Sequence, residues 1–400
     1  MNEKKTVVLA ADNNYAYQLI TAFHSILCNV KHCEEYQFVF LLDADFEKEN
    51  FDFIINLVNK FGVSDPVVFH MGDDYDKVEM QLKHITKATY FRLKLPDLLP
   101  NIEKCLYLDT DVIVCGDIEP LFDLKFDNYY LAGVKAAGFY YPEDKRRRLQ
   151  QSLGVEKIDQ YINAGVLLMN LQLMRKDNLS IKFEQLIAKN FKNQDQDILN
   201  AACYGKIKIL EPKFNLMTKY KVLDENSYDK VEGLQQCYTR TEWNDACKNP
   251  IIIHYADKQK PWNDIASDYA PLWWRAAMKM GIIDQILDKN LDTLHDNSKH
   301  KIQLLNQKLQ KTYDEKAERG IKIKTLEQEK AARGVKIKQL EQEKAARGIR
   351  IKELEREKET LRKNFNDLQK EINSVYNSRS YKLSRKMSAL FRKVKNIKKK

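Results

Sequence analysis

Four hundred residues with 44% apolar content can bury at least one large core, and the length suggests two or three domains. No apolar run approaches the ~18 residues of a membrane-crossing helix, and seven scattered cysteines without a C-x-x-C pair speak against a disulfide framework or a zinc site. The formal charge of +10 is unevenly held: residues 301–400 carry 30 Lys and Arg against 13 Asp and Glu, net +17, which leaves the first 300 residues at net −7.

Met1-Asn2-Glu3-Lys4-Lys5 leads into a strand-like run, Thr6 to Ala11, without an apolar signal segment or cleavage site, so a cytoplasmic chain is expected. Further strands are predicted at Gln37 to Leu42, Pro66 to His70, Cys105 to Val114, Tyr129 to Val134, Val166 to Asn170 and Ile251 to His254. Apolar spacing predicts helices at Tyr17 to Leu27, Glu47 to Phe61, Lys87 to Leu99 and Ile181 to Phe191. This alternation points to an α/β domain with a largely parallel sheet. The polar stretch from Tyr220 to Asn249 reads as irregular chain covering a site.

In such sheets ligands bind outside the carboxyl ends of the strands. Asp12-Asn13-Asn14-Tyr15 follows the first strand, and Asp109-Thr110-Asp111 comes late in the fourth, where residues i and i+2 point to one side. Two carboxylates so placed suit Mg²⁺ or Mn²⁺, which commonly take their remaining ligands from substrate phosphates. The same spacing also fits a pair of solvated or turn-capping Asp residues. Neither G-x-G-x-x-G nor G-x-x-x-x-G-K-[ST] occurs, so a bound nucleotide would be held by metal and side chains. His254, after Ile251-Ile252-Ile253, is a third candidate ligand and favours Mn²⁺ over Mg²⁺. Lys260, six residues on, offers a point charge for a diphosphate.

Residues 284–299 read as a helical exit with a polar break at Asp296-Asn297-Ser298. A 14-residue repeat follows, Glu315 to Gln328, Glu329 to Gln342 and Glu343 to Arg356, with a degenerate copy from Glu357. One heptad register runs from Ile302 to Ile372, but alternate heptads put cations such as Lys316 and Arg319 in the seam, and Gly320, Gly334 and Gly348 each cost about 1 kcal/mol relative to Ala. A coiled coil that makes a homo-oligomer and a solvated single helix both fit this pattern. Beyond the polar interruption at residues 376–380, Leu383, Met387, Leu390, Val394 and Ile397 form a new stripe opposite Lys and Arg, a basic amphipathic helix suited to an anionic membrane. Nucleic acid is the rival partner for such a tail. Only Phe391 sits in the stripe and no base-stacking platform is visible, so no nucleic acid is expected.

Six blocks, taken together and in order, resemble the motif set of the family 8 glycosyltransferases: Val7 to Tyr15, Ala88 to Leu93, Leu106 to Asp111, Tyr161 to Asn170, Gln194 to Asn200 and His254 to Trp262. The spacing is most similar to that of bacterial lipopolysaccharide galactosyl- and glucosyltransferases, with glycogenin more distant, and it covers residues 6 to about 275. The resemblance implies a GT-A fold, Rossmann-like with a mostly parallel sheet, a UDP-hexose donor, Mn²⁺ with Mg²⁺ as the alternative, and retention of anomeric configuration. It implies that Asp109, Asp111 and His254 ligate the metal. Ala10, Asp12, Asn14, Tyr15 and Thr110 match positions around the uridine and ribose. Arg92, Asn163, Ala164, Asp195 and Gln196 match the donor-sugar pocket, and Lys260 matches the diphosphate contact. Asp195 and Gln196 are the catalytic candidates, but an amide is a poor nucleophile, so same-face attack by the acceptor hydroxyl is expected. Asp257 stands where the family carries glycine, three residues after His254, and a carboxylate there would repel a diphosphate unless turned away or paired with Lys258.

The expected organisation is a GT-A glycosyltransferase domain at 1–280, a helical region with 14-residue repeats at 281–375 and a basic, membrane-associating tail at 376–400. The expected function is hexose transfer, galactose or glucose, to a surface-glycan or glycolipid acceptor such as lipopolysaccharide, by an enzyme peripheral at the inner face of the cell membrane. The alternative is a membrane-associated coiled-coil scaffold with a secondary sugar-nucleotide-binding domain.

Overall fold

The computed structural model describes residues 4–72, 75, 87–126, 128–256, 258–377 and 379–397. Lys5–Ala11 (β1) alternates between two cores: Val7, Leu9 and Ala11 enter one hydrophobic cluster, Val8 and Ala10 the other. A strand buried on both faces belongs in the middle of a layered α/β domain. Among the described residues, the main sheet has seven strands in the order β3 (Val67–Met71), β2 (Tyr36–Asp43), β1, β4 (Lys104–Leu108), β7 (Val166–Asn170), β6 (Leu131–Gly133) and β8 (Ile207–Ile209). Pairing is parallel except where β7 runs antiparallel to both neighbours.

A smaller sheet holds β5 (Val112–Val114), β10 (Ile252–His254) and β9 (Leu216–Met217) in that order. The apolar run Cys105 to Val114 is therefore two strands in two sheets, not one. It breaks at Asp109-Thr110-Asp111, because Asp109 N–H donates to Gly165 O at 2.8 Å while β5 is drawn to β10. Helix Ala16–Asn29 pins the far end of β5: Asn29 Nδ2 donates to Val114 O at 3.0 Å, and Val114 N–H donates to Ser25 Oγ at 3.0 Å.

Other predicted elements shift for local reasons. Lys87 to Leu99 is not one helix but Ala88–Phe91, a 3₁₀ turn at Arg92–Lys94 and Leu95–Leu98, where Pro96 opens the last piece. The helix predicted at Ile181 to Phe191 runs Leu179–Ile187. Tyr220 to Asn249 is not irregular throughout; it holds Ser227–Lys230, Leu234–Cys237 and Arg240–Lys248, the last opened by a capping box between Thr239 and Glu242. All seven cysteines are free thiols.

The chain forms two compact units, Met1–Gln303 and Leu304–Lys400. Helix Ile283–Asn377 is continuous through Asp296-Asn297-Ser298, so the predicted break is absent. These residues cost a helix only tenths of a kcal/mol each, and Asn297 Nδ2 donates to Asn263 O at 2.6 Å. In the second unit Ile323, Leu326, Ile337, Leu340, Ile351 and Leu354 are exposed, and a further helix runs Arg379–Ile397. Among the described residues no helix is long and apolar enough to cross a membrane.

Candidate active site

Asp109-Thr110-Asp111 sits at the crossing from the main sheet to the small one, so its carboxylates converge through a turn and not through strand alternation. The antiparallel register of β5 and β10 sets His254 opposite Val112, beside Asp111. His254 Nε2 lies 3.1 Å from Asp111 Oδ1 and 3.9 Å from Asp109 Oδ2, and one donor atom from each of the three residues falls within 4.8 Å of the others. Gly165 leaves the room. A Cβ there would collide with His254 Cε1 and stand 2.8 Å from Asp109 Oδ2. Two carboxylates, one imidazole nitrogen and a cradle kept open by glycine fit a divalent cation.

The surrounding charges are paired. Lys260 Nζ donates to Asp111 Oδ2, and to Tyr255 O at 2.6 Å. Burial opposes ionisation of Asp111, but Lys260 and His254 outweigh it and hold its carboxyl well below the usual range. Arg92 is buried over the Tyr107 ring, 4.2 Å from its centroid, with Nη2 2.7 Å from Asp109 Oδ1 and Nε 3.2 Å from Asp195 Oδ2. Burial pushes the Asp195 carboxyl up to about 6, although Arg92 and the Thr89 hydroxyl, which donates at 2.7 Å, pull the other way.

A polar chain runs beside the cation cradle. Gln196 Oε1 accepts from Asn163 Nδ2 at 3.1 Å and from Ala164 N–H at 3.2 Å, while Gln196 Nε2 donates to Tyr161 Oη at 2.9 Å. Asn163 Oδ1 accepts from Gly165 N–H at 3.0 Å and from Asn215 Nδ2 at 2.9 Å, and Asn215 Oδ1 lies 2.9 Å from His254 Nδ1.

One cleft of about 800 Å³ lies against these residues, with Tyr161, Asn215 and Tyr255 outside its lining. Ala10, Tyr15, Arg92, Thr110, Asn163, Ala164, Asp195, Gln196 and Lys260 line it together with Asp109, Asp111 and His254. Asp12 and Asn14 do not. Asp12 Oδ1 instead accepts from Asn14 N–H at 2.9 Å and Tyr15 N–H at 3.1 Å, which caps the 3₁₀ turn Asn13–Tyr15 and holds Tyr15 at the cleft. Asp257 lies outside the described residues. Sequence reasoning missed Thr89, Tyr107 and Gly165, all within the quoted motif blocks and given no role, and it missed Asn215 altogether, whose isolated position carries no local signal. It also missed Phe139, Tyr141 and Lys145, which line the same cleft.

Known proteins resemble this chain over the same region. It is 30% identical over 265 residues to General stress protein A of Bacillus subtilis (strain 168), covering 64% of this chain and 87% of that one. It is 27% identical over 318 residues to a lipopolysaccharide 1,2-glucosyltransferase of Escherichia coli, covering 77% and 88%. The crystal structure of the galactosyltransferase LgtC with donor and acceptor sugar analogues superposes with a TM-score of 0.56 at 25% identity, over 68% of this chain and 95% of that one. The family described as glycosyl transferase family 8 matches residues 6–266, a span that contains the whole cleft, and the chain belongs to that family.

Proposed function

We propose that the protein is a retaining hexosyltransferase that moves galactose or glucose from a UDP-sugar to a surface glycan or glycolipid, in the manner of the lipopolysaccharide enzymes it resembles, with Mn²⁺ at Asp109, Asp111 and His254. The observation that carries this reading is the convergence of those three donors with Lys260 at the end of a cleft that also holds Arg92, Asn163, Asp195 and Gln196. A divalent cation would supply Lewis-acid stabilisation of charge gathering on a departing diphosphate. Lys260 lies where its ammonium can meet the same charge, and Arg92 stays charged because Asp109 and Asp195 offset its burial. Mn²⁺ is favoured over Mg²⁺ by the imidazole. Ala10 and Tyr15, with Thr110, form the end of the cleft proposed for uridine and ribose.

Gln196 is proposed to position the donor sugar. Its Oε1 already accepts two hydrogen bonds, as many as its lone pairs allow, so it has none left for the anomeric carbon. Same-face attack by the acceptor hydroxyl is the step this supports, and a covalent glycosyl adduct trapped on Gln196 or Asp195 would contradict it.

The helical repeats and tail are proposed as an oligomerising arm and a membrane-surface anchor, which puts the enzyme at the inner face of the cell membrane; the exposed apolar positions of the repeats and the basic stretch at 377–400 support this. Screening UDP-sugars for Mn²⁺-dependent hydrolysis and transfer tests the enzymatic reading. Asp109→Asn and Asp111→Asn should each abolish turnover with the fold intact, and undiminished turnover in either removes that carboxylate from the site.

A further inference from the structure

The hydrogen-bond chain behind the cation cradle has only one consistent direction. A backbone N–H can only donate, so Gly165 N–H at 3.0 Å identifies the Asn163 atom it meets as Oδ1. An oxygen that accepts from Gly165 can meet Asn215 only through a donor, which makes the Asn215 atom 2.9 Å away Nδ2. The remaining end of the Asn215 amide, 2.9 Å from His254 Nδ1, is then Oδ1, an acceptor. His254 must donate through Nδ1. The far end of the chain agrees: Ala164 N–H at 3.2 Å identifies Gln196 Oε1, whose other neighbour is Asn163 Nδ2 at 3.1 Å. Two successive main-chain amides, those of Ala164 and Gly165, thus orient three side-chain amides, and no flip of any of them is allowed.

We infer that Asn215 is the positioning residue of the cation site, holding His254 as the Nδ1–H tautomer so that the Nε2 lone pair faces Asp109 and Asp111. The free imidazole in water favours the other tautomer only slightly, so one buried hydrogen bond decides the matter. Asn215 and His254 are 1% and 3% exposed, so water does not compete for either atom. With Nδ1 donating, Nε2 opposes Asp111 Oδ1 at 3.1 Å and Asp109 Oδ2 at 3.9 Å, an arrangement that calls for a proton or a cation between them. The chain also ties the cation cradle to the proposed sugar pocket, because Asn163, which meets Asn215, is itself bonded to Gln196.

The inference rests on the metal reading above, and its test separates the two. In the unaltered full-length chain without metal, ring-¹⁵N histidine labelling and long-range ¹H–¹⁵N correlation should show a proton on His254 Nδ1; an Nδ1 that carries no proton overturns the inference whatever the metal does. Titration with Mn²⁺, followed by the electron paramagnetic resonance of the free ion, should show Asn215→Ala weakened about 10- to 100-fold. Asn215→Asp keeps an acceptor for Nδ1–H and should bind Mn²⁺ within about threefold of the unaltered protein. It presents only oxygen to Asn163 Oδ1, so KM for UDP-galactose or UDP-glucose should rise about tenfold at unchanged Mn²⁺ affinity, roughly the loss of one hydrogen bond. A folded Asn215→Ala chain with unaltered Mn²⁺ affinity, or an Asp variant as weak as the Ala variant, refutes the role of Asn215. Failure of the unaltered protein to bind Mn²⁺ refutes the metal reading and leaves the tautomer measurement standing on its own.

Discussion

Buried Arg92 and half-buried Asp109 form an ion pair, closed at 2.7 Å between Nη2 and Oδ1, and the same guanidinium reaches Asp195 through Nε at 3.2 Å. It also donates to Thr89 O at 2.8 Å and to Ala164 O. The planar fork is what allows one side chain to meet partners from three segments. Arg92→Met would leave Asp195 buried beside no positive charge, at a cost of about 3–5 kcal/mol. Arg92→Lys restores the charge but not the fork, and should recover part of the stability and little of the turnover. Urea midpoints and UDP-sugar hydrolysis of the two variants check this.

Gly165→Ala should cost the site its cation. The added methyl would collide with the His254 ring and crowd Asp109 Oδ2 at 2.8 Å, so the imidazole must rotate away from the carboxylates. The bonds of Gln196 to Asn163, Ala164 and Tyr161 do not involve that methyl. Calorimetric titration should find Mn²⁺ binding lost or weakened at least about 100-fold, the upper range for disturbing a ligand's support, in a chain that still melts cooperatively.

Asp195 makes stability depend on pH. Folded, it keeps its proton up to about 6, whereas unfolded it releases it near ~3.9. Between those values the folded state binds more protons than the unfolded one, so stability falls as pH rises through the window and stays lower above it. The shift corresponds to about 3 kcal/mol. Asp195→Asn removes this slope, and the difference between the two metal-free proteins in urea midpoint, measured across the window, should reveal it. A constant difference would mean that Asp195 is ionised throughout.

Much of the domain could be read in advance and the rest could not, for reasons that lie in particular residues. β1, β2 and β7 are continuous apolar runs, visible because both faces are covered. Cys105 to Val114 looks like one such run, since Val112-Ile113-Val114 is as apolar as what precedes it; only its partner β10, far along the chain, reveals a second sheet. The two carboxylates were legible as a pair, and His254 and Lys260 as companions. Asn215 was not, because its importance comes from two hydrogen-bond partners distant in sequence, Asn163 and His254. Helix Glu143–Leu153 escaped notice because it is largely charged, burying only Leu149 and Leu153.

Removal of residues 377–400 should separate anchoring from chemistry. That stretch carries ten basic side chains and no acidic ones, and each contributes about 1 kcal/mol at an anionic surface. The shortened protein should lose co-sedimentation with phosphatidylserine vesicles while hydrolysing UDP-sugar at the rate of the full chain. Co-sedimentation that persists would place the membrane contact elsewhere.

The split between β4 and β5 has a mechanical consequence. Asp109 hangs from the end of the seven-stranded sheet, while Asp111 and His254 belong to the margin of the three-stranded one. A cation gripping all three would act as a rivet through two plates, and the tightness of that rivet would govern how far the plates can slide. Donor entry and release would then be felt as loosening and fastening of the small sheet and of its neighbour Tyr255, whose N–H is bound to Asp111 O at 2.9 Å and whose carbonyl accepts from Lys260 Nζ.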